Sequence, residues 1–139
     1  MLIMGVLERI DIARGNREFS NCFGTALFIA GFIFRDEFIS RLWGDDVGHE
    51  RRIEQLDELQ TPVVYSLALF RRGSTKYIDH IAIVTGVDPI LLAHRDGPEG
   101  LFIENELIER VIERYTTSEI NKRQVSLVKV EYRRIPDIF

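Results

Sequence analysis

Three short apolar runs, each followed by turn residues, most constrain the fold that this chain of 139 residues can adopt. The runs are 63–70, 77–85 and 90–94, and they are rich in the β-branched and aromatic residues that favour strands. Asp88-Pro89 separates the second run from the third by a tight turn, which predicts a β-hairpin. We therefore expect this part of the chain to form a small antiparallel sheet.

Helical patterns flank these runs. A first helix is predicted to begin near Ser20 or Asn21, either of which can cap its N-terminus. Its apolar stripe repeats every three or four residues and faces a core: Phe23, Ala26, Leu27, Ala30 and Phe34. A short helix is predicted over 50–60, and a last strand over 125–133.

A further amphipathic helix is predicted over 104–115. Its solvent-exposed face is expected to contain the charged residues Glu104, Glu106, Glu109, Arg110, Glu113 and Arg114. A leading helix followed by short strands with tight turns indicates an α+β fold built on an antiparallel sheet. The length predicts a single domain over 1–139.

Composition and charge narrow the classes of function. The formal net charge is −4 and the basic residues are scattered, so the sequence predicts no nucleic-acid partner. No apolar run approaches the roughly 18 residues of a membrane span, and the N-terminus lacks the basic leader of a signal peptide. We therefore expect no membrane partner and a cytoplasmic protein, with export by a non-classical route as the alternative.

The candidate chemistry rests on one cysteine and two histidines. Cys22 is the only cysteine, which excludes an intrachain disulfide and a paired-cysteine redox site, and it falls on the first turn of the predicted helix. Free backbone N–H groups at that position favour a thiolate. His80 and His94 lie on the two strands of the predicted hairpin, so their rings can meet, whereas Asp79 is expected on the opposite face of its strand.

Each of these residues also has an ordinary structural interpretation. A lone cysteine on an apolar helix is usually a small buried hydrophobic residue, and a single histidine in a strand is usually a satisfied core or surface residue. The joint arrangement of Cys22, His80 and His94 is what favours nucleophilic catalysis, because a thiolate needs a histidine base and the base needs an orienting group.

Three segments resemble one family of enzymes. Asn-Cys-Phe-Gly-Thr-Ala-Leu-Phe is similar to the catalytic-helix motif of NlpC-type cell-wall peptidases, and Asp-His-Ile-Ala-Ile-Val-Thr-Gly is similar to their histidine strand and to that of the related CHAP amidases. Leu-Leu-Ala-His-Arg-Asp-Gly resembles the strand that follows it and contains the third polar residue. The resemblance covers about residues 19–97, and the order Cys, His, His is that of the unpermuted papain-like members.

The resemblance implies a papain-like fold, in which an N-terminal catalytic helix packs on a small antiparallel sheet. It implies that Cys22 is the nucleophile, that His80 is general base and acid, and that His94 orients His80. The reaction would then be hydrolysis of an amide bond through an acyl-enzyme, in a peptide substrate such as a peptidoglycan stem. The sequence predicts no cofactor, since phosphate-binding loops and zinc motifs are missing.

The sequence also departs from the family pattern. Asn21 replaces the usual acidic residue, Phe23 replaces the usual serine, and no tyrosine precedes Cys22. The oxyanion donors are expected to be the Cys22 backbone N–H and the Asn21 amide. Further residues are predicted to line the substrate site together with Asn21: Trp43, Tyr65, Tyr77 and Asp79.

Three alternatives remain open at this point. The same thiol could transfer acyl groups or deamidate a glutamine, because water and another acceptor compete for one thioester. The domain could instead be a non-catalytic module that binds a peptide or a protein. In a minor alternative, Cys22, His80 and His94 are three zinc ligands.

Overall fold

The fold contains four helices and six strands within the residues that a computed structural model describes, which are 5–15, 22–32, 46–72, 78–96, 101–120 and 128–136. The helices are α1 (Val6–Gly15), α2 (Cys22–Ala30), α3 (Asp46–Glu54) and α4 (Ile108–Ile120). The strands are β1 (Glu58–Leu59), β2 (Leu67–Arg72), β3 (His80–Val87), β4 (Ile90–Asp96), β5 (Leu101–Leu107) and β6 (Val128–Arg133).

The six strands form one antiparallel sheet in the order β1-β6-β2-β3-β4-β5. The hairpin of β3 and β4 lies next to β2, with Phe70 paired opposite His80 and Ile83 paired opposite Ala93. The register between β4 and β5 shifts between Leu92 and His94. Both strands of the hairpin lie inside the sheet, so their side chains are in the middle of the protein.

Alternation along β3 divides the core into two clusters, because successive side chains of a strand point to opposite faces. Ile81 and Ile83 belong to a cluster that contains buried residues of α1 and α2, and we call this side of the sheet the α2 face. Ala82 and Val84 belong to a second cluster that contains buried residues of α4, and we call this side the α4 face. The sheet thus separates the two helical layers.

Two buried arginines fix helices on the α2 face. Arg9 Nε donates to the Ile29 carbonyl in the last turn of α2, at 2.8 Å. Arg95 Nη2 donates to the Ala13 carbonyl in the last turn of α1, at 3.1 Å, and its Nε donates to the Thr25 hydroxyl at 2.9 Å. Carbonyls at a helix C-terminus lack partners within the helix, so guanidinium donors satisfy them and interact favourably with the helix dipole.

Several predictions from the sequence are confirmed. The fold is α+β with an antiparallel sheet, a helix begins at Cys22, and β3 and β4 form the expected hairpin. The last strand is also present, although it begins at Val128. The first predicted strand begins later than expected, at Leu67, and the helix predicted over 50–60 ends at Glu54.

One prediction of secondary structure was wrong, and one helix was not predicted. Residues 101–107 form β5, whereas the sequence pattern assigned Glu104 and the residues after it to a helix, which in fact begins at Ile108. Helix α1 was not predicted, since its apolar residues define no clear stripe. Phe34 and the other residues of 33–45 lie outside the described residues, so the end of the first apolar stripe stays a prediction.

None of the helices in the described ranges is long and apolar enough to cross a membrane.

Candidate functional site

The two histidines predicted to act together are in direct contact. His80 is the first residue of β3 and His94 lies on the adjacent strand β4. His80 Nε2 is 2.7 Å from His94 Nδ1, and the two rings meet nearly edge to face at 4.9 Å between centroids. The hairpin thus brings the two rings into contact, as the sequence predicted, and their roles as base and orienting group stay a prediction.

A carboxylate and a guanidinium extend this pair across the sheet to α4. His94 Nε2 is 2.8 Å from Glu106 Oε1 on β5. Arg114 on α4 donates both terminal nitrogens to the Glu106 carboxylate, at 2.7 Å each. We call His80, His94, Glu106 and Arg114 the histidine chain, because their hydrogen bonds connect β3 to β4, β4 to β5 and β5 to α4.

Burial and charge set the protonation of the histidine chain. His80 is 1% exposed and His94 is 2% exposed. The pKa of His80 lies well below its usual range, chiefly because burial disfavours the charged ring and then because His94 and Arg114 add positive charge nearby. The hydrogen bonds from Arg114 hold the pKa of Glu106 at about 2, so this carboxylate is ionised at neutral pH.

The ionised carboxylate fixes one proton of His94. Glu106 can only accept, so His94 donates its Nε2–H to it. With neutral His94, Nδ1 of that ring accepts and His80 donates its Nε2–H, which leaves the lone pair of neutral His80 on Nδ1.

Aromatic side chains of the α4 face surround His80. The Phe70 ring lies 5.6 Å from the His80 ring between centroids, and the Tyr115 ring lies 5.0 Å from it. Phe70 and Tyr115 are themselves stacked at 6.1 Å. His80 therefore lies among the residues of the second core cluster, under α4.

Cys22 lies on the other side of the sheet. It is the first residue of α2, it is half-buried, and it packs against the first core cluster. Since α2 packs over Ile81 and Ile83, the alternation of β3 turns His80 away from this helix. The structure brings His80 and His94 together, and it does not bring Cys22 to them.

The remaining predicted site residues are scattered. Tyr65 is half-buried against the α2-face cluster, with a left-handed φ of 67° and its backbone N–H donating to Val84 O at 2.7 Å. Asp79 is half-buried, and its backbone N–H donates to Phe70 O at 2.8 Å. Asn21, Trp43 and Tyr77 lie outside the described residues. Contact of these five residues with a substrate stays a prediction.

Sequence reasoning missed two members of the histidine chain. Glu106 and Arg114 were both assigned to the solvent-exposed face of one helix, but Glu106 belongs to β5 and only Arg114 belongs to α4. The run Leu101-Phe102-Ile103 before the acidic residues was the available signal for a strand. A glutamate in that strand could then have been placed beside the strand of His94.

Among the residues that the structure describes, no group of three or more His, Cys, Asp or Glu side chains is arranged to hold a metal ion. The zinc alternative needs Cys22 beside His80 and His94, and these residues occupy opposite faces of the sheet.

Comparison with known proteins adds no assignment: no protein-family model, no curated protein and no solved structure matches the chain.

Proposed function

We propose that this chain is a non-catalytic, peptide-binding member of the papain-like group. The observation that supports this most strongly is the position of Cys22 on the α2 face while His80 lies on the α4 face. A nucleophilic thiol must lie within about 3–4 Å of its base for the proton to move between them. A side chain on one face of a sheet does not meet that condition with a partner on the other face.

The burial of the histidines supports the same conclusion. His80 and His94 are almost completely enclosed, and each of them donates a hydrogen bond within the histidine chain. A general base has to reach the reacting group of a substrate. In this fold the two histidines act as internal hydrogen-bonding residues that connect the strands, which is the ordinary role of a satisfied core histidine.

The peptide as ligand is proposed from the resemblance to NlpC-type peptidases, whose substrates are peptides. A papain-like domain that keeps its peptide groove without a working thiol–histidine pair would bind such a peptide and leave it intact. Tyr65 and Asp79 are the predicted substrate-site residues that the structure describes, and the left-handed backbone of Tyr65 is the kind of local strain that clusters at binding sites.

The experiment measures binding and cleavage on the same samples. A peptidoglycan stem tetrapeptide is titrated into the wild-type chain and into Cys22→Ala by calorimetry, and each mixture is then analysed by mass spectrometry. We expect both proteins to bind the peptide with the same Kd and to leave it uncleaved. Cleavage by the wild type that is lost in Cys22→Ala would contradict the non-catalytic part, and absence of binding by both would contradict the peptide ligand.

A second candidate is a cysteine-dependent amidase, and the bond between His80 Nε2 and His94 Nδ1 favours it. In such an enzyme His94 orients His80, and Nδ1 of His80 is the basic atom that would accept the thiol proton. The experiment separates the two candidates, because an amidase, an acyltransferase or a deamidase forms a thioester on Cys22. An acyl adduct on Cys22 in acid-quenched samples would establish the second candidate.

A further inference from the structure

The histidine chain connects α4 to the sheet by hydrogen bonds. Its two ends differ: His80 is enclosed under Tyr115, whereas the Arg114 side chain on α4 is 41% exposed. Each bond in the chain is short, between 2.7 and 2.8 Å. A change at any member is therefore transmitted to the helix through direct hydrogen bonds.

With both rings neutral, the geometry accommodates two protons within the chain. One proton lies between His80 Nε2 and His94 Nδ1, and one lies between His94 Nε2 and Glu106 Oε1. With both rings neutral, the negative Glu106 and the positive Arg114 cancel. One additional proton leaves an uncompensated positive charge in the buried core, and a second would place two N–H donors against each other and break the 2.7 Å bond.

We propose that the histidine chain is an acid-sensitive latch that holds α4 on the sheet at neutral pH and releases it on acidification. When α4 separates from the sheet, His80 loses the cover of Tyr115 and becomes able to bind a proton in water. Because the released state binds a proton that the closed state does not bind at the same pH, acidification favours the released state. This inference does not depend on whether the chain binds or cleaves a peptide.

The charged groups that face His80 shift its pKa in opposite directions. β4 contributes His94 and α4 contributes Arg114, both of which oppose a positive charge on His80, whereas β5 contributes Glu106, which favours it. α4 also contributes the Tyr115 ring, and β2 contributes the uncharged Phe70 ring. Burial is the largest influence and lowers the pKa of His80.

The direction of the pH effect follows from that lowered pKa. A released His80 binds a proton near its usual pKa of about 6.5, and the closed state binds one only at lower pH. The released state therefore holds more protons below about pH 6.5, so closure weakens as the pH falls through that value. For one proton, the opening equilibrium rises about tenfold per pH unit once the pH is well below 6.5, and it rises about sixteenfold in total between pH 6.5 and pH 5.0.

The α2 face provides an internal reference because the polar contacts of Arg9 and Arg95, which join α1, α2 and β4, do not titrate in the same range. Arg9 and Arg95 donate to backbone carbonyls and a hydroxyl, none of which changes charge between pH 4.5 and 6.5. Glu104 pairs with Arg14, and this pair lowers the pKa of Glu104 below its usual value. We therefore expect α2 to stay packed at pH values that release α4.

Hydrogen exchange read by mass spectrometry tests the latch on the intact chain. Exchange is measured at pH 6.5 and at pH 5.0, with each rate corrected for the intrinsic pH dependence of amide exchange. Peptides from 108–120 are expected to gain exchange by about sixteenfold over this interval, while peptides from 22–30 change little. An equal gain in both helices, or no gain in 108–120, would overturn the proposal.

Two variants assign the effect to the histidine chain. His80→Phe replaces the titrating ring by an aromatic ring of similar shape beside Phe70 and Tyr115, and it is expected to remove most of the pH dependence in 108–120. Glu104→Gln is the matched control, because it removes a carboxylate from the same strand on the α2 face, and it should keep the pH dependence. A His80→Phe variant that still shows the full gain would overturn the latch.

A measurement on the wild-type chain covers the case in which His80→Phe does not fold. Nitrogen-15 chemical shifts distinguish the two neutral tautomers of histidine. At pH 7.5 we expect both His80 and His94 to be protonated on Nε2, as the histidine chain requires. A proton on His94 Nδ1 at that pH would contradict the proton count and with it the latch.

Discussion

Two glutamates on β5 make the same kind of contact on opposite faces of the sheet, and they differ in what surrounds them. Glu104 accepts two hydrogen bonds from Arg14 of α1, at 2.6 and 2.7 Å, and Glu106 accepts two from Arg114 of α4, both at 2.7 Å. The Glu104 side chain is 29% exposed and that of Arg14 is 55% exposed, whereas the Glu106 side chain is 12% exposed.

The difference shows that the stability gained from an ion pair depends on its burial and on any additional hydrogen-bond partner, which for Glu106 is His94. An exposed pair gains little, because water screens the charges and two long side chains lose freedom. Glu106 also accepts from His94, which is enclosed and cannot turn to water. The α4 face therefore depends on a connected polar network, and the α2 face depends on apolar packing with arginines at helix ends.

The largest effect is expected from His94→Leu, because this change removes the central member of the histidine chain. His80 then loses its acceptor and Glu106 loses a donor, both at buried or nearly buried positions. We expect the free energy of unfolding to fall by about 2–4 kcal/mol, measured by urea denaturation at pH 7.5. A loss below about 0.5 kcal/mol would mean that the chain contributes little to the fold.

A smaller and more specific effect is expected from the two glutamates. Glu106→Gln keeps an oxygen for His94 but removes the charge that binds Arg114, and we expect it to lower the free energy of unfolding by about 1–3 kcal/mol. Glu104→Gln serves as the matched control on the same strand and should cost clearly less. Equal losses from the two variants would erase the contrast between the faces.

Much of the sheet could be predicted from the sequence. The runs that became β2, β3 and β4 have strong β-branched and aromatic character and clear turns, so local pattern and tertiary packing agree. The meeting of His80 and His94 followed from the hairpin, since two strands joined by a tight turn must lie side by side.

The remainder depended on information that local patterns lack. Glu104 and Glu106 lie in a segment whose charges favour an exposed helix, and only pairing with β4 makes it a strand. The face on which His80 points relative to α2 is a tertiary choice, because a helix can pack on either side of a sheet. The sequence motif placed Cys22 and His80 together, whereas the alternation of β3 separates them.

The most direct test of this account measures whether His80 affects the Cys22 thiol. The rate of iodoacetamide alkylation of Cys22 is followed from pH 5 to pH 9 in the wild type and in His80→Gln. A histidine base within reach of a thiol stabilises the thiolate and keeps alkylation fast at low pH. We predict superimposable profiles, because the sheet lies between the two residues. A wild-type profile that extends at least one pH unit lower than that of His80→Gln would contradict the account.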